Sequence, residues 1–319
     1  MADFRILVPL AVLLGLLSIS PVARASHIQC GDVLTTSVKF DSDVLCTNVE
    51  EGDVALTIGA SNITVDARGY RIVADDCCYG SAMQTSGAYS GVVIKHIGGT
   101  DGFTSDVYLQ LSDSTLKSNR LDAQMSAVHI EGDRNLVKGN IIYTGYVGIS
   151  MIGAGNRAVQ NDVQAYEGEG ILASGSGVRI ANNNLRALGA IFGGIRLFGF
   201  TDAVVTGNHV SEFVFGIGLA NGTGASVTRN YVHDNGYGGG IYISDDVSNV
   251  DLRRNTANAN GGSDYSGIWV GSPSVTITRN TANDNGWYGI HAVPGVIDGG
   301  GNRASGNGNP AQCVEVRCR

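Results

Sequence analysis

The sequence predicts an all-β chain wound as a single parallel β-helix, a solenoid of about ten coils with a cap at each end. Three observations predict it. A small residue followed by a β-branched one recurs every 21 to 27 residues, at Ala127-Val128, Gly148-Ile149, Gly170-Ile171, Gly194-Ile195, Gly216-Ile217, Gly240-Ile241, Gly267-Ile268 and Gly289-Ile290. An asparagine follows each opening after 12 to 14 residues, at Asn140, Asn161, Asn183, Asn208, Asn230, Asn255, Asn280 and Asn302, and Val107 leads to Asn119 in an earlier unit. The composition, with 46 glycines, 5 prolines and 16% charged residues, suits tight corners rather than solvated helices. A unit this short cannot bury its own apolar face, so copies must stack.

From the N-terminus, residues 1–25 read as a secretory signal. Arg5 supplies the positive charge, Ile6 to Ile19 the apolar run, and Ala23-Arg24-Ala25 the cleavage site. The run is shorter than the roughly 20 apolar residues of a membrane span, and no second span follows. The mature chain is therefore expected to be secreted, extracellular or periplasmic. Residues 26–52 form the expected N-terminal cap, 53–305 the β-helix and 306–319 the C-terminal cap. The net charge of −8 does not favour nucleic acid or anionic lipid, and no nucleic-acid partner is expected.

Six cysteines in an exported chain point to disulfides, with 15 connectivities open. Cys30 and Cys46 precede the first coil, and Cys313 and Cys318 follow the last. Local pairs there would staple the open ends of the solenoid. Cys77-Cys78 are neighbours; a bridge between them would be strained, so they pair elsewhere or stay free. No His/Cys spacing resembles a zinc or copper cage, and four methionines without a His/Met cluster speak against copper handling.

Within one coil, apolar residues fall into three inward columns. The opening strand sends in Val107, Val128, Ile149, Ile171, Ile195, Ile217, Ile241, Ile268 and Ile290. A second strand sends in Leu116, Val137, Ile180, Val205, Val227, Leu252 and Ile277. A third, two residues after the asparagine, sends in Leu121, Ile142, Val163, Leu185, Val210, Val232, Ala257, Ala282 and Ala304. The asparagine column reads as structural: stacked amides satisfy one another, and asparagine tolerates a left-handed turn. The stretch from Asp75 to Asp106 breaks the rhythm and reads either as a loop over the outer face or as an ornament of the cap.

These coils resemble the parallel β-helix repeats of the pectate-lyase-like superfamily. Cys30-Gly31-Asp32 through Cys46, with the run Leu56 to Asp66, is similar to the N-terminal cap and first coil of secreted right-handed β-helix repeat proteins. Asn309-Pro310-Ala311-Gln312-Cys313 to Cys318 is similar to their ending. The resemblance implies a right-handed helix. It leaves activity open, because this fold carries lyases, polygalacturonases, epimerases, tailspikes and inert surface proteins. Neither the Asp-Pro-His-Glu run of alginate epimerases nor the Gly-His-Gly of polygalacturonases is present. Asp245-Asp246 and His233-Asp234-Asn235-Gly236 read as corners.

The outward residues after each inward opening residue carry the candidate chemistry: Tyr108, His129, Ser150, Leu172, Arg196, Gly218, Tyr242, Trp269 and His291. The glycines before the inward residues serve either as a flat floor or as corners of positive φ. Aromatic rings stack on sugar faces, and arginine pairs with carboxylates. Tyr108, His129, Arg196, Tyr242, Trp269 and His291 are therefore the candidate binding residues for an extracellular, acidic polysaccharide, with Gly218 leaving a gap for one sugar. If the chain is instead a lyase or epimerase, Arg196 neutralises a uronate and Tyr242 or His291 moves the proton. The third alternative is a non-catalytic structural solenoid. Calcium is the one candidate ion, at Asp113, Glu131 and Asp133.

Overall fold

Alternating apolar residues with period two, repeated in three short runs per coil, fold into three parallel sheets around one core. A computed structural model describes residues 27–75, 79–189 and 192–319; these form an all-β, right-handed parallel solenoid of about 13 turns. The expected signal segment and the Cys77-Cys78 pair lie outside the described residues.

The first face begins at Asp32–Leu34 and Val54–Ile58 and ends at Ile290–Ala292 and Cys313–Val314, each strand parallel to the next. Its central rungs are Ser105–Ser112, Ser126–Glu131, Val147–Ile152, Glu169–Ser176, Gly193–Thr206, Phe215–Thr228, Gly239–Ile243 and Ile268–Val270. Gly193–Thr206 and Phe215–Thr228 continue unbroken onto the second face. The third face stacks strands such as Ile141–Thr144, Asp162–Ala165, Asn184–Ala187, His209–Ser211 and Tyr231–His233. At about 4.8 Å per rung, the stack is about 58 Å long.

The coil count exceeds ten because strands form where no Gly-Ile opening marks them. Asp32–Leu34 and Cys313–Val314 pair as the end rungs. Within the stretch from Asp75 to Asp106, residues 79–106 are not a projecting loop: Ser81–Thr85 pairs with Val54–Ile58 and with Ser105–Ser112. Met83 there occupies the inward position held by isoleucine or valine elsewhere. Disulfides join Cys30 to Cys46 and Cys313 to Cys318, with Cα atoms 5.3 and 6.2 Å apart.

The asparagine column is a continuous buried ladder from Asn119 to Asn302. Its unit is seen at Asn208. The Asn208 Oδ1 accepts from both the backbone N–H and the Nδ2 of Asn183, at 2.9 and 3.0 Å. Its own Nδ2 donates to the Ile180 carbonyl and to Asn230 Oδ1, both at 3.0 Å. The asparagine is not itself left-handed, as the sequence had suggested. The residue before it is: Ser118, Gln160, Asn182, Arg229, Arg254 and Arg279 have φ of 55° to 57°. That residue turns the chain, and the amide then points inward to bond the turn's backbone groups. A second ladder, unforeseen from the sequence, runs Asn235, Asn260, Asn285 and Asn307, and Gln312 Oε1 caps it at 2.7 Å.

The glycine column is neither an outer floor nor a set of positive-φ corners. Gly194 and Gly216 are buried where the first face meets the third; a Cβ on either would lie 2.1 Å from the Cγ1 of Val210 or Val232. Asp106 stands in this same column, between Ala82 and Ala127 of the adjacent coils. It is fully buried, neither carboxylate oxygen makes a hydrogen bond of good geometry, and the nearby Thr100 hydroxyl and Asp122 N–H favour its charged form only weakly against that burial. Burial pushes its pKa well above the usual carboxylate range.

Two substitutions test this core. Asn208→Ala should destabilise by about 2–4 kcal/mol in urea unfolding, one to three for each buried group left unpaired. The outward Asn184→Ala should change little. Asp106→Ala should stabilise by about 1–3 kcal/mol at pH 7 by removing a buried polar group that lacks a hydrogen bond of good geometry. Because the folded carboxyl prefers its proton, the penalty grows as pH rises above the ordinary carboxylate range, so the gain should shrink in acid.

Candidate functional site

The register of the first face lines the outward residues into one column: Tyr108, His129, Ser150, Leu172, Arg196, Gly218, Tyr242, Trp269 and His291 are successive partners. Five of these nine, from Arg196 to His291, border one cavity of about 560 Å³. Tyr108 and His129 belong elsewhere. Their rings stack 4.6 Å apart, with Glu131 accepting from both, and Ser150 and Leu172 separate them from the cavity.

The cavity is built largely from rings. Tyr242 and Trp269 stack at 4.6 Å with planes 9° apart, because successive rungs hold them one above the other. Phe215 lies beside Gly218, where a Cβ would meet its ring at 2.7 Å, and so fills part of the gap that Gly218 opens. Tyr265, Trp287 and Asp264 form further walls. Both tryptophans of the chain line this one cavity.

Of the lining residues that the repeat pattern does not mark, Asp264, Tyr265 and Trp287 come from corners, and Phe215 opens a strand of the first face, in register with Gly193 and Gly239. Asp264 and Tyr265 arise in the coil from Gly240 to Gly267, which at 27 residues is the longest spacing. That surplus length was the available signal: an insertion at a corner can fold over the adjacent face. Trp287 and Phe215 precede an opening by a few residues, outside the inward pattern.

Arg196 is not the free cation that its column position had suggested. Its Nε donates to Glu169 Oε1 at 2.7 Å; the Glu169 side chain is 5% exposed and that of Arg196 44%. Glu169 Oε2 has no partner. Burial pushes the Glu169 pKa up, and Arg196 opposes this only in part. Burial also lowers the His291 pKa below the usual 6.5, so its ring is neutral at pH 7.

The calcium expectation meets an arginine. Arg134 Nε and Nη2 donate to Asp113 Oδ1 and Oδ2 at 2.6 and 2.7 Å. The register places Arg134, one residue beyond Asp133, opposite Asp113. Asp133 Oδ1 accepts from the Ala154 N–H at 2.8 Å, and Glu131 is held by His129, Tyr108 and Gln110. Among the described residues, no three or more His, Cys, Asp or Glu side chains gather to hold a metal ion.

The lowered His291 pKa gives a test with a defined sign. The unfolded chain takes the proton more readily, so His291 should subtract stability as pH falls from about 6.5 through its folded midpoint. Ring NMR should place that midpoint below the ordinary value. The difference in unfolding free energy between the wild type and His291→Gln should vary across this window.

Comparison with known proteins places this site on a familiar scaffold. Among curated proteins, none matches the chain in sequence. The A-module of the mannuronan C-5 epimerase AlgE6 of Azotobacter vinelandii is similar in structure, with a TM-score of 0.57 at 13% identity over 91% of each chain. The AlgE4 A-module of the same organism gives 0.58 at 12% identity, covering 91% of this chain and 89% of its own. A mutant of DFA-IIIase from Arthrobacter chlorophenolicus A6 gives 0.58 at 13%, covering 92% and 88%. At these identities the likeness carries the fold alone. A family model for the right-handed β-helix region matches residues 169–315. The model described as periplasmic copper-binding protein (NosD) matches residues 61–239, more than half of the sequence, and the chain belongs to that family.

Proposed function

We propose that this chain is an exported carbohydrate-binding protein that holds one sugar unit of a glycan in the ring-lined cavity of its first face. One observation carries the reading: Phe215, Tyr242, Tyr265, Trp269 and Trp287 surround a single cavity in a chain that is only 7% aromatic. Aromatic faces bury the C–H faces of a sugar, and polar groups at the rim take its hydroxyls. Arg196, Asp264, Ser266 and His291 supply those groups. The column continues towards Leu172 and Ser150, which gives a longer glycan a path along the sheet. The two disulfides are in keeping with export.

The family description names copper. The described residues do not fit a copper cage. His209 and His233 bring their Nε2 atoms to 2.5 Å on the third face, and Asp234 accepts from His233 Nδ1 at 2.6 Å. Two imidazoles fall short of the donor sets that select copper, and among the described residues no methionine sulfur joins them: Met83 and Met151 are buried in the core columns, and the exposed Met125 lies four rungs from His209. No part of this proposal uses the metal.

Isothermal titration against a panel of neutral and uronate oligosaccharides tests the reading. Trp269→Ala and Tyr242→Ala should each weaken binding by about 1–3 kcal/mol. Tyr231→Ala, on the third face, should leave it unchanged. Absence of binding to every oligosaccharide, or indifference to Trp269→Ala, would overturn it.

A further inference from the structure

The charge of this cavity bears on which sugars it accepts. Among the described residues that line it, Arg196 is the only cation at neutral pH, and Asp264 lines it too. Glu169 already takes the Arg196 Nε at 2.7 Å from a buried position. The balance is therefore at most zero. If Glu169 is ionised, one cation stands against two carboxylates. If Glu169 holds its proton, Arg196 and Asp264 cancel. His291 adds nothing, since burial keeps its ring neutral.

A uronate carboxylate entering an apolar, ring-lined cavity loses its water and needs a cation of its own. None is free to supply one. The Arg196 Nη groups remain as N–H donors, and hydroxyl oxygens suffice to satisfy them. We propose that the cavity selects an uncharged sugar unit over a uronate, and that Glu169 is the specificity-determining residue, engaging Arg196 so that it serves as a hydroxyl donor rather than an anion receptor. The proposal rests on the carbohydrate reading and replaces the acidic polysaccharide expected from the column alone.

The test is a titration of the intact chain with neutral gluco-, manno-, xylo- and fructo-oligosaccharides and with oligogalacturonate and oligomannuronate. Each is measured at low and high sodium chloride. A neutral oligosaccharide should bind about tenfold or more tighter than either uronate. Its affinity should be nearly independent of salt, because no formal charge is being paired. Glu169→Gln should raise the ratio of uronate to neutral affinity by about fivefold or more. Should that buried substitution prevent folding, Asp264→Asn at the exposed rim changes the charge balance in the same direction, and that ratio should rise again. A wild-type preference for uronate that weakens with salt and is lost in Trp269→Ala would overturn the selectivity and leave carbohydrate binding standing. No binding to any oligosaccharide would overturn both.

Discussion

The structure depends on the spacing between rungs. Parallel strands hydrogen-bond at about 4.8 Å, and every column in the molecule inherits that distance. The corners are where it is hardest to keep, since a turn leaves backbone groups without sheet partners. The buried asparagines meet that need. Each amide bonds the residue one coil on and a carbonyl of the preceding coil, as Asn208 does with Asn230 and Ile180. Where the left-handed residue before the asparagine is not glycine it costs roughly 1–2 kcal/mol, and the ladder offsets it with several buried hydrogen bonds. Positive φ at Arg229, Arg254 and Arg279 is thereby tolerated without glycine.

The same spacing builds the site. Tyr242 and Trp269 stack because adjacent rungs hold their rings one above the other. Removing one side chain from the column, as at Gly218, opens a space one rung deep. Phe215 leans over this space from the edge, so its floor is apolar. A rigid, repetitive sheet thus presents a shaped cavity through one small residue and two corner segments. Binding sites on solenoids take this form because the coil itself has little freedom to change.

Electrostatics then limits what that cavity accepts. An arginine on an exposed strand is ordinarily a solvated cation. Arg196 is instead tied to a carboxylate buried beside the core, and Glu169 keeps one oxygen unpartnered. Such a pair holds the guanidinium in place without lending the cavity a net positive field. Asp106 is the opposite case, a buried carboxyl with no counter-charge, standing where adjacent coils carry alanine.

The repeat alone determined the parallel helix, its three inward columns, the order of the outward residues and the positions of the asparagine ladder. It could do so because period-two strands repeated at near-constant spacing allow one register, and a slip of one residue would turn every apolar side chain outward. The sequence did not reveal coils without the Gly-Ile signature, such as the one carrying Met83, because burial asks only for an apolar residue of suitable size. Nor did it reveal the left-handed residue before each asparagine, whose identity varies from serine to arginine. The tertiary structure alone decided that Phe215, Asp264, Tyr265 and Trp287 close around the outer column, that Arg134 faces Asp113, and that Glu169 holds Arg196. Those contacts depend on how corner segments of unequal length fold back and which way side chains turn. Neither is set by the period of the repeat.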